Sequence, residues 1–311
     1  MPKLSIIIHS VHSTSRLEET LVSVLENSPE ESEILVLDRL DYEDPYELQD
    51  EVQFLPITGK SDLQEELTAG VEAASGKFLH WLAAGVEVMP GWADSALEQL
   101  ASPEVVAVAP LILSKEHPEQ VVAAGFDYHP AGKCNKRAAN REYFEELDYL
   151  DQVDGSLLEA IFVKKAPFAA QLPTQPSLTS EVLMTDIALA WKAEGWHTIY
   201  DPGCVVQMAS SKKAPASSFQ TACQWERLFW RHRKSGIGST IRHGMHLLGE
   251  CLTRPSPARL LGRAIGWLSA GPEIQRSLAR SGQEDSIFSI QDAATSEKTD
   301  QQDRDSYSEA A

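Results

Sequence analysis

The residues with chemistry to offer are scattered, and the most telling stretch is one that lacks them. Gly76-Lys-Phe-Leu-His-Trp-Leu-Ala-Ala-Gly-Val-Glu-Val-Met-Pro-Gly-Trp92 reads as a buried strand over Phe78–Leu82, a small-residue turn Ala83-Ala84-Gly85, and a Pro-Gly-Trp entry into a helix. Ala83, Ala84 and Gly85 hold no side-chain oxygen for a cation, and Glu87 would reach one only if the turn were rearranged. His243 and His246, three apart on a predicted helix, could share a face as metal ligands, but no third ligand stands near them in sequence. Cys134, Cys204, Cys223 and Cys251 form no Cys-x-x-Cys pair, which argues against a zinc ribbon and fits a reducing compartment. No Gly-x-Ser-x-Gly, phosphate-binding loop or His-Glu-x-x-His occurs.

The elements that must position these residues alternate between two periods. Leu4–His9 is a continuous apolar run, as expected of a parallel strand covered on both faces. Ser15 and Glu18 have capping-box spacing ahead of Leu17, Leu21, Val24 and Leu25 on one helical face. Glu33–Asp38 and Val52–Ile57 read as further strands. Asp62 opens a helix that stops at Gly76, and Trp92–Leu100 is predicted as another helix, followed by a strand at Val105–Leu111. This alternation predicts an α/β chain with a doubly wound, mainly parallel sheet. No Gly-x-Gly-x-x-Gly follows the first strand, so a dinucleotide-binding domain is disfavoured. Val121–Gly125, Ser156–Val163, Thr198–Tyr200 and Val205–Val206 read as strands, and Asp186–Ala193 as a helix ending at Gly195.

Several landmarks, in order, resemble a family 2 glycosyltransferase with the GT-A fold. They are Leu4-Ser-Ile-Ile-Ile with Leu17-Glu-Glu-Thr-Leu-Val-Ser-Val-Leu, Glu33-Ile-Leu-Val-Leu-Asp38, Ala69-Gly-Val-Glu-Ala-Ala-Ser-Gly-Lys-Phe78, and Pro90-Gly-Trp92. Asp154-Gly-Ser, Asp186-Ile-Ala-Leu-Ala-Trp-Lys-Ala-Glu-Gly-Trp196 and Tyr200-Asp-Pro-Gly-Cys-Val-Val206 complete the set, over roughly residues 3–208. The resemblance implies a GT-A-like doubly wound mixed sheet, mostly parallel, and transfer of a sugar from a nucleotide-sugar donor to a glycan or lipid-linked acceptor. It also implies a divalent metal, Mn or Mg, on the donor diphosphate and a general base for the acceptor hydroxyl.

Carried over residue by residue, the likeness assigns Asp38 to a uracil-like N–H or a ribose hydroxyl, with capping of the Asp-rich loop after it as the alternative. Arg39 stands where the family has a second acid, and could pair with a phosphate or with Asp41 or Asp44. His9 and Ser10 replace a proline and a small residue after the first strand and could touch a nucleotide, with a partly buried side chain as the alternative for His9, and Lys60 is a further cation for the diphosphate. Ala83, Ala84 and Gly85 occupy the degenerate Asp-x-Asp position. Asp186 matches the last acid of the base motif, with Leu183 and Met184 in place of the first two and Glu181 as a substitute; a carboxylate favoured by the dipole at the helix N-terminus is the alternative reading of Asp186. Gln207 or Met208 replaces the late histidine, and methionine is a poor ligand for a hard cation. The joint losses leave a glycosyltransferase-like protein with altered or lost metal-dependent catalysis, or a pseudo-glycosyltransferase that binds or scaffolds a partner. Metal-independent transfer, with Arg39 or Lys60 offsetting phosphate charge, is a third form.

Charge divides the chain. Residues 1–208 carry 13 Lys/Arg against 35 Asp/Glu, residues 209–283 carry 12 against 3, and residues 284–311 carry 2 against 8. The expected organisation is a GT-A domain over 1–210, a basic helical segment over 211–280, and a disordered acidic tail over 281–311. The segment 219–267 mixes Trp, Phe, Leu and Ile with arginines at helical spacing. That composition suits helices packed on the acidic body or an amphipathic face on an anionic membrane, not nucleic acid. No apolar run approaches a membrane span, so the reading is a cytoplasmic protein with membrane association as an option.

Overall fold

The computed structural model describes residues 3–9, 11–58, 61–129, 132–144, 147–172, 178–209, 218–233, 237–253 and 256–271; Ser10, Lys60 and the 281–311 tail lie outside these. The chain divides into two compact units, residues 1–129 with 133–216, and residues 130–132 with 217–311.

The first unit is built around β1 (Leu4–His9), whose six side chains are all buried. It pairs in parallel with β2 (Ser32–Asp38) on one side and β4 (Phe78–Ala83) on the other, and β2 pairs in parallel with β3 (Val52–Pro56). The helices α1 (Thr14–Asn27) and α2 (Leu63–Ala73) lie between these strands in sequence. Beyond β4 comes β12 (Ala160–Lys164), antiparallel to both β4 and β6 (Val105–Ser114). The long β13 (His197–Met208) then runs parallel to β6. Thus β3, β2, β1, β4, β6 and β13 share one direction, and β12 makes the sheet mixed. Short strands finish it: β5 (Val86–Val88) and β11 (Asp151–Val153) against β13, and β7 (Gln120–Ala123) with β10 (Arg141–Glu142) at the edge. A separate hairpin joins β8 (Phe126–His129) and β9 (Lys133–Lys136). The strand order turns back at β1, and the crevice at the carboxyl ends of β1 and β4 is where open α/β sheets place their ligands.

Several boundaries differ from the sequence reading, each for a local reason. The N-cap of α1 is Ser13, so Ser15 lies inside the first turn and the Ser15/Glu18 capping box does not form. Asp62 does cap α2, accepting from Glu65 N while the Glu65 side chain answers its own N–H. That helix ends at Ala73, and Gly76 serves a close approach instead: a Cβ there would lie 2.7 Å from Ser5 N. The helix before β13, α5 (Ser180–Ala193), starts six residues earlier than read. Val182 to Ala188 are all buried, so no polar face marks its first turns. The two predicted late strands are one, β13, with an irregularity between Asp201 and Val205 where the Asp201 carboxylate accepts Gly203 N at 2.8 Å. The predicted Ser156–Val163 strand begins only at Ala160, leaving Leu158 and Glu159 in the loop that faces the crevice. Two further helices, α3 (Asp94–Ala101) and α4 (Lys165–Gln171), pack in this unit; α4 was not read from sequence.

The second unit consists of α6 (Ser218–His232), α7 (Ile237–Thr253) and α8 (Pro257–Ser269). A buried carboxylate ties them together. Glu226 on α6 meets His243 Nε2 of α7 at 3.1 Å, accepts from Trp230 Nε1 at 2.8 Å, and faces Arg263 Nη1 of α8 at 3.4 Å.

Candidate functional site

At the carboxyl ends of β1 and β4 a cleft of about 230 Å³ opens. Its walls include His9 at the end of β1, Arg16 in the first turn of α1, the Ala83-Ala84-Gly85 turn after β4, and Glu159 before β12. Met208, the last residue of β13, closes one side. The sequence places these residues together through register. His9 stands opposite Ala83 in the β1–β4 pair, so the two strand ends share one rim.

The Ala83-Ala84-Gly85 turn is held by hydrogen bonds from its three backbone N–H groups. Ala83 N donates to Glu159 O at 2.9 Å, Ala84 N to His9 O at 2.9 Å, and Gly85 N to the Thr20 hydroxyl of α1 at 2.9 Å. Gly85 has φ +98°, a region that L side chains rarely adopt, and a Cβ on it would lie 3.3 Å from Arg16 Cδ. The Arg16 stem therefore fills the space into which a side chain at position 85 would project. A carboxylate there would be both strained and crowded.

The nearby acids do not replace it. Lys115 binds both Glu87 and Glu19, the latter at 2.9 Å, and these bonds raise the lysine pKa. Among the described residues no group of three His, Cys, Asp or Glu side chains is placed to hold a metal ion. The donor set does not fit a divalent cation at this turn. The Arg16 stem lies over the turn, Arg16 lines the cleft, and among the described residues it has no carboxylate partner.

The residues singled out in sequence separate into two groups. His9 lines the cleft, and its Nε2 donates to Leu158 O at 3.0 Å while its ring meets Trp81 edge-on. Burial pushes its pKa down, outweighing the attraction of Glu66, so His9 is neutral. Asp38 is not among the cleft-lining residues. Its two oxygens accept Leu40 N and Tyr42 N, both at 2.8 Å, which is the loop-capping alternative. Arg39 pairs with neither Asp41 nor Asp44. It reaches Glu66 of α2 at 2.9 Å and Ser61 O at 3.1 Å, and Glu66 is 3% exposed. A buried acid on an otherwise apolar helix face was the signal for this pair, and it went unread. Asp186 lies in the interior of α5, away from its first turn, and does not line the cleft, whereas Ser180 at the helix start does. Sequence reasoning missed Arg16 and Glu159. Arg16 could have been suspected from a cation in the first turn of a helix with no acid there, an arrangement the helix dipole does not favour.

No protein-family profile and no curated protein sequence matches the chain. Solved structures do. A crystal structure of GalNAc-T7 with UDP, GalNAc and Mn2+ superposes with a TM-score of 0.57 at 13% identity, over 73% of this chain and 47% of that one. The chain thus spans about half the length of that neighbour. The mannosyltransferase PcManGT from Pyrobaculum calidifontis, in complex with GDP-Man and Mn2+, matches with a TM-score of 0.49 at 14% identity, over 94% of this chain and 80% of that one.

Proposed function

We infer that the chain is a divergent, glycosyltransferase-like protein built on the GT-A architecture. We propose that the cleft between β1 and β4 binds the diphosphate of a nucleotide-sugar donor without a divalent metal, Arg16 supplying the positive charge. One observation carries this reading: the Arg16 stem lies over Gly85, where the metal motif of the resemblance would stand. Guanidinium suits the task because it is always charged and presents several N–H donors to phosphate oxygens.

The chemistry that follows is sugar transfer to a glycan or lipid-linked acceptor. The acceptor oxygen bonds to the anomeric carbon as the bond from that carbon to the diphosphate breaks. Glu159 takes the hydroxyl proton, and Arg16 faces the charge that develops on the departing diphosphate. Asp38 acts by shaping the nucleotide loop, and Lys60 remains a second cation for the diphosphate. The four cysteines form no disulfide, which supports a cytoplasmic setting. No described helix is long and apolar enough to cross a membrane.

A second reading, a non-catalytic binding partner, draws on Glu19 and Glu87 being held by Lys115 and on Asp186 lying outside the cleft lining. Nucleotide release from a panel of UDP-, GDP- and dTDP-sugars separates the two. Glu159→Gln is expected to lower release by about 100-fold or more, the usual scale of a lost general base, with nucleotide affinity unchanged. No release from any donor by the wild type, with nucleotide binding intact, would establish the binding-partner reading instead.

A further inference from the structure

The second unit carries an apolar surface that its own packing turns outward. On α7, Ile237, Ile241, Met245, Leu248 and Leu252 are all exposed, Ile237 and Leu252 each by 77% and Met245 by 70%. At about 100° per residue they fall within an arc of about 80°. The opposite side of the helix carries His243, the one buried residue of α7, together with the partly buried Glu250. A helix that packs in a water-soluble core shows the reverse arrangement.

α8 repeats the pattern. Leu260, Leu261, Ile265, Trp267 and Leu268 are exposed, Leu268 by 72%. Its inward side is Gly262 and Gly266, where a Cβ would lie 2.2 Å from Phe219 O and 2.7 Å from Cys223 O of α6.

Neither helix is free to roll its apolar side inward. His243 stacks on Phe229 with ring centres 3.7 Å apart and bonds to Glu226, which fixes α7. The two glycines admit only the present face of α8 against α6. The outward apolar faces are therefore a consequence of specific packing.

Charge identifies what covers them. Between residues 218 and 271 the sequence holds eight Lys/Arg and two acids. Both acids are already engaged, Glu226 by His243 and Arg263, and Glu250 by His246 and Arg263. Across α7, α8 and the residues joining them, the sequence adds Arg242, Arg254 and Arg259 to the engaged Arg263 with no further acid, so an anionic lipid surface complements these helices and a second copy of the same charge does not. Trp267 at the edge of the apolar face is the residue type that settles at a membrane–water boundary.

We propose that α7 and α8 dock in the plane of an anionic lipid surface, the Ile237–Leu252 stripe and the Leu260–Leu268 face entering the headgroup boundary. The proposal does not depend on whether the cleft binds a donor.

Co-sedimentation of the full chain with phosphatidylglycerol-rich vesicles, and with pure phosphatidylcholine vesicles, tests it. Wild-type protein is expected to bind the anionic vesicles preferentially, and less well as salt is raised. Ile241→Asp with Leu248→Asp is expected to weaken that binding by about tenfold or more. Val22→Asp, which changes an exposed apolar residue of α1 in the other unit, should leave it unchanged. Both altered α7 positions face solvent, and an unchanged thermal melt shows that the variant is folded. Absence of wild-type binding would overturn the proposal, as would equal binding by the double variant. Sedimentation showing a wild-type dimer that the double variant dissolves would also overturn it, in favour of a second copy.

Discussion

Arg16→Ala is expected to weaken binding of UDP or GDP by about tenfold, measured by titration calorimetry in excess EDTA. The argument begins with the cleft floor, where Ala83, Ala84 and Gly85 present no side-chain oxygen and the Arg16 stem crosses Gly85. A hydrogen bond to a charged group contributes about 1.5–3 kcal/mol, and Arg16 is exposed, so solvent screening puts the value at the low end. About 1.4 kcal/mol corresponds to the tenfold change.

Arg39→Ala is the informative contrast. Arg39 is bound to the buried Glu66, so its loss should lower the denaturation midpoint more than it lowers nucleotide affinity. The opposite outcome, with Arg39→Ala abolishing binding and Arg16→Ala leaving it intact, would move the diphosphate to the rim of β2. Screening supplies a second check: wild-type affinity should fall as salt is raised, and that dependence should be shallower in Arg16→Ala.

Glu226→Ala is expected to cost about 3–5 kcal/mol, the scale for removing one partner of a buried charged pair. Its carboxylate lies at the junction of three helices, 3% exposed, and His243 and Arg263 would be left facing an empty site, with side chains 4% and 11% exposed. Burial alone would push the Glu226 pKa up. The hydrogen bond and charge of His243, then Arg263 and Trp230, pull it down further, so the net direction is below the ordinary value of 4.5. The folded carboxyl thus holds its proton less tightly than the unfolded one. Its stabilisation is fully present above the unfolded value and is lost as pH falls through the lowered folded value. Urea unfolding followed by tryptophan fluorescence should therefore show the wild type losing stability on acidification below about pH 4.5. Glu226→Gln, which cannot ionise, should lack that contribution. A Glu226→Ala midpoint equal to wild type would show that the three helices do not depend on this carboxylate.

The strands were readable because physics writes them plainly. Leu4–Ile8, Ile34–Leu37 and Phe78–Leu82 are mainly apolar runs buried on both faces, and a run of that kind has few alternatives. The empty Ala83–Gly85 turn was equally legible, since the absence of oxygen atoms is a property of composition. The side chain that lies over that turn was not. Arg16 is distant in sequence from Gly85 and reaches it only because α1 packs beside the turn, with Thr20 bonded to Gly85 N. Arg39 misled for the opposite reason. Its neighbours Asp41 and Asp44 suggested local pairing, whereas its partner Glu66 arrives from α2. The early turns of α5 were hidden by being buried all round, which erases the period that marks a helix. Over 219–267 only a mix of apolar residues and arginines at helical spacing was legible; the α7 stripe and its outward direction follow from His243 facing Glu226.

The central claim is that the cleft holds a nucleoside diphosphate with an arginine in place of a metal. Titration of UDP and GDP into the wild-type chain, once in excess EDTA and once in excess Mn2+, tests it most directly. The account predicts saturable binding of at least one of the two, with dissociation constants in EDTA and Mn2+ that agree within about threefold, well under 1 kcal/mol. Binding that requires Mn2+, or no binding of either nucleotide in either condition, would contradict it.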